Sequence, residues 1–184
     1  MRTRRSLRRI AASALLVAAG STHAADFLPD TVFVQAGAGP KRVNAIGAGL
    51  VWTGDWERPL YGGLLRGQFE VAMSQWRARD FGGGQQVFQQ FVLLPLLRLQ
   101  ADQGRSPWFG EFGIGFSWLD RRYVTPTQDM SKQFNFYDVI GVGCELGEER
   151  RHALALRYTH VSNGGLKKPN PGEDFLMLRY AVKF

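Results

Sequence analysis

Between Arg157 and Tyr180 the chain reads RYTHVSNGGLKKPNPGEDFLMLRY. His160 and Ser162 stand one residue apart, followed by a Gly- and Pro-containing stretch and two adjacent carboxylates, Glu173 and Asp174. An imidazole beside a hydroxyl is the pairing that makes serine a nucleophile, because the ring takes the proton as the oxygen attacks. A carboxylate behind the ring fixes its orientation. On an extended strand, residues i and i+2 share a face and lie roughly 6.5–7 Å apart, a gap that an imidazole lying along the strand can bridge. The same two residues on the wet face of a soluble sheet would do no chemistry, so the reading depends on which way the strand faces.

The elements that must position them are strands. Runs of about ten residues with period-two apolarity, separated by Gly, Pro, Asp and Ser clusters, fall near 31–38, 43–53, 61–76, 86–99, 108–119, 134–146, 153–162 and 174–184. In the fifth, Trp108, Phe112, Ile114, Phe116 and Trp118 share one face, opposite Glu111, Gly113, Gly115 and Ser117. In the eighth, Leu176, Leu178, Tyr180, Val182 and Phe184 oppose Met177, Arg179, Ala181 and Lys183. In the third, Leu65, Phe69, Val71 and Met73 oppose Arg66, Gln68, Glu70 and Ser74. A charged face opposite one of Trp, Phe and Leu describes a polar lumen inside an apolar belt. The predicted fold class is all-β, an eight-stranded antiparallel transmembrane β-barrel.

A soluble β-sandwich or lipocalin-like barrel also alternates, with its apolar face turned inward. Four features favour the membrane. The strands exceed the globular norm of about five or six residues, and Trp stands at both ends of one strand. The chain ends in an alternating strand with terminal Phe184, and it opens with five arginines, an apolar run from Ile10 to about Gly20 and small residues to Ala24. That opening has the layout of a secretory signal peptide and is too short to span a bilayer. We expect residues 1–24 to be a cleaved signal peptide and 25–184 to be an outer-membrane barrel.

Five of the 23 Lys and Arg lie in that leader, leaving 18 against 16 Asp and Glu, a net of +2. A basic nucleic-acid-binding domain is therefore excluded. Cys144 is the single cysteine, so no internal disulfide forms. Only His152 and His160 remain beyond the leader, and no cysteine cluster accompanies them, so neither a metal site nor a cofactor is expected. With both termini periplasmic, external loops fall near 37–44, 77–86, 119–133 and 163–173, and periplasmic turns near 54–60, 100–107 and 147–152. The external loops carry Lys41, Arg42, Arg77, Arg79, Arg121, Arg122, Lys132, Lys167 and Lys168, which are either ordinary solvated charge or contacts for lipopolysaccharide phosphates.

Counting by twos orients the seventh strand. Arg157 belongs in the lumen, which turns Leu154, Leu156, Tyr158, His160 and Ser162 toward lipid. Polar groups there are costly and point to function. Asp174 is in phase with Leu176 and Leu178 and so shares their face. Glu173 is in phase with Met177 and would need a bulge to join them, which keeps it as the alternative acid.

HVSNGG followed by KPNPGED at 160–174 resembles the outer-membrane lipid A 3-O-deacylases, the PagL family. FNFYDVIGVGCELG at 134–147 and LLPLLRL at 93–99 resemble the same family's sixth and fourth strands. The resemblance implies an eight-stranded barrel with its active site on the outside wall. By position, His160 is then the base, Ser162 the nucleophile and Asp174 the acid, a place where family members often carry Glu. Asn163, through its side-chain amide, and Gly165, through its backbone N–H, match oxyanion donors, while Asn170 matches a loop position with no assigned step. The implied reaction is cofactor-free hydrolysis of the 3-position acyl ester of lipid A. Its implied partners are lipopolysaccharide as substrate, the surrounding outer-membrane lipids and, left open, a second copy as a homodimer. Arg121, Arg122, Lys167 and Lys168 are the candidate phosphate contacts. The rival readings are an outer-membrane phospholipase and a non-enzymatic barrel acting as adhesin or structural protein.

Overall fold

The computed structural model describes residues 28–184, so the expected leader at 1–24 lies outside the described residues. Eight strands form the wall: β1 (Thr31–Gly39), β2 (Val43–Leu60), β3 (Gly63–Arg79), β4 (Gln85–Gln100), β5 (Trp108–Leu119), β8 (Phe134–Leu146), β9 (His152–Ser162) and β10 (Glu173–Lys183). The short β6 (Val124–Thr125) and β7 (Gln128–Asp129) make a separate hairpin inside the external loop after β5. Each wall strand pairs antiparallel with its neighbours, and β1 pairs with β10 to close the barrel. Closure leaves no sheet edge to face lipid, which an open sheet could not avoid.

The predicted facing holds. Trp108, Phe112, Ile114, Phe116 and Trp118 of β5 are exposed on the outside, while Glu111 and Ser117 are buried within. Leu176, Leu178 and Tyr180 of β10 likewise face out, opposite buried Met177 and Arg179. At a rise of ~3.3 Å per residue and a tilt near 40°, the two tryptophans of β5 stand roughly 25 Å apart along the barrel axis, the height of an outer-membrane apolar band. They mark its two rims.

The inside has two tiers. Midway down, Glu70, Glu111, Arg157 and Arg179 form a buried ionic cluster. Arg179 grips both oxygens of Glu70 at 2.7 and 2.8 Å, Arg157 donates to Glu70 at 3.0 Å and to Glu111, and Gln35 accepts from Arg179. Above the cluster the mouth is filled by an apolar plug of Trp76, Phe88, Tyr123 and Phe175. Trp76 lies 4.7 Å from Phe175 and 5.3 Å from Tyr123, ring centre to ring centre. The polar lumen expected from the sequence is thus polar only in part. Tyr123 comes from the loop after β5, which period-two counting cannot place. Burial, and then the neighbouring Glu173 carboxylate, push its phenol above the usual range, so it stays neutral.

Two expected boundaries move. The turn anticipated at 54–60 is strand: β2 continues to Leu60, and the register breaks between Thr53 and Glu57 so that Gly54, Asp55 and Trp56 oppose Gly67. Gly-Asp reads as a turn signal in sequence, but a bulge absorbs it here. The chain reverses instead at Tyr61–Gly62, both with positive φ (47° and 75°), the two-residue geometry that matches strand twist.

Candidate active site on the outer wall

Strand register brings the chemistry together. Asp174 of β10 stands directly across from His160 of β9, and directly opposed side chains in an antiparallel pair have Cβ atoms about 4.5–5.5 Å apart. That separation suits an aspartate and an imidazole, and His160 Nδ1 lies 2.7 Å from Asp174 Oδ1. Each has 37% of its side chain exposed on the outer wall. Glu173, one residue earlier, points the other way and is fully buried under the mouth beside Tyr123. Period two therefore separates the two acids as the phase count predicted.

With Nδ1 turned to Asp174, Nε2 lies at the opposite edge of the ring, and Ser162 stands two residues further along the same face of β9. Gly172 reports this spacing: a Cβ placed on it would sit 3.3 Å from His160 Nε2 and 3.5 Å from the Ser162 Cβ. Ser162 Oγ accepts from the Gly164 N–H at 3.4 Å. Ser162 is in register with Phe136 of β8, one place from the Phe134–Trp118 pair. The group is therefore mounted at the height of the outer aromatic rim, where acyl chains give way to headgroups.

Gly172 could carry no side chain there. Its φ of +68° belongs to the left-handed region, and its Cβ would lie 2.7 Å from His160 Cε1. Gly172→Ala is expected to displace the ring and cut turnover by about 100-fold, the usual consequence of an ångström's misplacement. The check is kcat on micellar substrate, alongside gel mobility to show that the barrel still folds.

Two loops clasp each other around this group. Gln128 Nε2 donates to the Gly172 carbonyl at 2.8 Å, Ser131 Oγ to that of Lys167 at 2.8 Å, and the Ser131 N–H to that of Pro169 at 3.1 Å. Asn170 Oδ1 accepts from the Asn163 N–H at 2.9 Å, which gives Asn170 a structural part that its sequence did not supply. The Asn163 amide departs from expectation. It is buried and donates to Ser131 Oγ and the Lys167 carbonyl, both at 2.9 Å, instead of facing the nucleophile. A carboxamide one residue beyond Ser162 falls on the inner face of the wall, where loop carbonyls compete for it. Gly164 and Gly165 follow with φ of +63° and +80°, and Gly165 faces open space.

Five further residues border the site without having been assigned a part in it from sequence. Tyr158 Oη donates to Asp174 Oδ1 at 2.8 Å, and the period-two count that oriented His160 also put Tyr158 on its face. Asp138 of β8 is in register with His160 on the side away from Asp174. Phe116, Phe134 and Phe136 form a continuous aromatic patch beside Ser162, with ring centres 5.7–5.9 Å apart. Cross-strand register, which a single sequence does not display, is what links these residues to the site.

The basic candidates divide. Arg121 is 3.3 Å from Asp120 and lies over the Phe88 ring, and Arg122 pairs with Asp129 at 2.7 Å, so both brace their own loop. Lys167 and Lys168 are exposed on the loop after Ser162, with no ion pair among the described residues. His152 is exposed at the start of β9 with its ring stacked on Tyr180 and Nδ1 2.7 Å from the Tyr180 hydroxyl.

Fold and site together define a class: a small outer-membrane barrel with a His–Asp pair and a serine on its lipid-facing wall. The chain belongs to the lipid A 3-O-deacylase (PagL) family, whose model matches residues 45–183. It is 28% identical to the lipid A deacylase PagL of Pseudomonas aeruginosa over 92% of this chain and 95% of that protein. It is 47% identical to the lipid A deacylase PagL of Bordetella bronchiseptica over 62% of this chain and 61% of that one. Its fold is similar to the crystal structure of the outer membrane enzyme PagL, with a TM-score of 0.71 at 25% identity, covering 84% of this chain and 99% of that one. The chain is accordingly a hydrolase of the outer membrane.

Proposed function

We propose that the protein hydrolyses the 3-position acyl ester of lipid A with Ser162 as nucleophile, His160 as base and Asp174 as the acid that orients it. The observation that supports this reading is the bond from His160 Nδ1 to Asp174 on the lipid-facing wall, with Ser162 two residues along the same strand face. Ser162 Oγ attacks the ester carbonyl while its proton passes to His160 Nε2. The tetrahedral intermediate collapses, the sugar 3-oxygen leaves with that proton, and the acyl group stays on Ser162. Water, deprotonated by His160, then releases a hydroxy fatty acid and restores the serine.

The backbone N–H of Gly165 is the proposed oxyanion donor, with that of Gly164 already beside Ser162 Oγ. Such a donor is worth about 2.7–4 kcal/mol of transition-state stabilisation. The Phe116–Phe134–Phe136 patch offers the acyl chain an apolar track, and Lys167 and Lys168 lie on the adjoining loop to meet a phosphate. No deep pocket is needed on such a wall, since the leaflet itself excludes water. A concavity of about 720 Å³ beside Trp52 and Phe69 lies on the β2–β3 wall away from these residues.

The test is to incubate the purified barrel with lipopolysaccharide and weigh the lipid A by mass spectrometry. Loss of one hydroxyacyl chain from the 3 position supports the reading. Unchanged lipid A, or fatty acid released from phospholipid in its place, overturns it in favour of an inactive barrel or a phospholipase.

A further inference from the structure

Asp174 Oδ1 receives two hydrogen bonds, from His160 Nδ1 at 2.7 Å and from the Tyr158 hydroxyl at 2.8 Å. Tyr158 is in register with Leu176, so Asp174 lies on the diagonal, about 7–8 Å away across the ladder and within reach of a side chain as long as tyrosine. The Tyr158 ring is half exposed on the lipid face, yet its hydroxyl turns sideways along the wall to the carboxylate. A tyrosine hydroxyl on a lipid-facing wall needs a polar partner, which near the rim is supplied by headgroups and water. Here it meets the one oxygen that also holds the histidine.

We infer that Tyr158 is a positioning residue for the reaction, holding the Asp174 carboxylate in the rotamer that keeps His160 Nε2 directed at Ser162. The inference rests on the triad reading above and adds to it. With a single donor the carboxylate can rotate about its Cβ–Cγ bond, and either oxygen, or neither, can meet the ring. A second donor on the same oxygen from a different direction removes that freedom. Hydrogen bonds to a charged acceptor are shorter and stronger than neutral ones, and a low-dielectric surrounding strengthens them further. No other described side chain donates to Asp174. Asp138, the other carboxylate in register with His160, lies on the β8 side and makes no such contact. Lys41, from the β1–β2 loop, acts on Asp174 only through its charge.

Because Tyr158 acts through Asp174 and not on substrate, its loss should change kcat alone. Tyr158→Phe, which removes only the hydroxyl, is expected to lower kcat by about tenfold, with KM and gel mobility of the folded barrel unchanged. In an Asp174→Asn background the same change should cause no further loss, since the carboxylate it orients is gone. A wild-type kcat in Tyr158→Phe overturns the inference, as does an equal loss in both backgrounds or a fall carried by KM. Ser162→Ala, measured alongside, separates the two readings. If that protein keeps its rate, the triad reading fails. If it is inactive while Tyr158→Phe is unaffected, only the role of Tyr158 fails.

Discussion

Ser162→Ala is expected to lower kcat for release of the 3-position acyl chain by about 10⁴- to 10⁶-fold, the range seen when a serine hydrolase loses its nucleophile. The barrel should fold as before. Ser162 is the last residue of β9, half-buried, and among the described residues its hydroxyl has one hydrogen bond, a long contact from Gly164. Removing that oxygen costs almost no packing, so the loss falls on chemistry. His160 keeps its bond to Asp174, and the aromatic patch beside the site is untouched. KM should therefore change little while kcat collapses. The check is a time course of lipid A masses together with the heat-dependent gel shift of a folded barrel. A variant with a tenth of wild-type turnover would mean that something other than Ser162 attacks the ester.

The second large effect is on stability and lies at the opposite face of the same wall. Glu70→Ala is expected to destabilise the barrel by roughly 3–5 kcal/mol, the cost of leaving a buried charge without its partner. Glu70 is fully buried and answers two guanidiniums, taking a two-pronged grip from Arg179 and a further bond from Arg157. Arg157 retains Glu111, but Arg179 is left with neutral Gln35 and the Phe33 ring beneath it. The aromatic plug around Trp76 closes the outer end, while a small polar cavity reaches Arg179 from the opposite end. The urea midpoint of unfolding in micelles, followed by the gel shift, should fall accordingly. An unchanged midpoint would show that the cluster is hydrated and weak. Arg157 shares β9 with His160 and Ser162, so the ionic cluster inside and the reactive group outside are held by one strand.

How far the sequence carried this account depends on period. Where the chain alternates, as at Trp108–Trp118 or Leu176–Tyr180, the face of every residue follows from parity, and parity alone assigned Glu173 to the inside and Asp174 to the outside. Parity stops at the loops. The Asn163 amide, Gln128 and Ser131 join two loops separated by more than thirty residues: the amide meets the Ser131 hydroxyl, and Ser131 and Gln128 reach backbone carbonyls, which no residue type announces. Register is also hidden: that Asp174 lies opposite His160, with Asp138 on the other side, depends on turn lengths which a single chain does not reveal. The β2 bulge shows the same limit, since Gly54 and Asp55 read locally as a turn and the pairing with β3 overrides them.

The central claim is that a serine on the lipid-facing wall is made nucleophilic by the histidine beside it. A long-chain alkyl fluorophosphonate, which reacts covalently with activated serines, tests this directly when peptide mass mapping follows the labelling of folded barrel in micelles. The account predicts one adduct, on the peptide containing Ser162, in the wild type, and its loss in His160→Ala, where Ser162 is still present. Equal labelling of Ser162 in the two proteins, or labelling elsewhere with Ser162 unmodified, would contradict it.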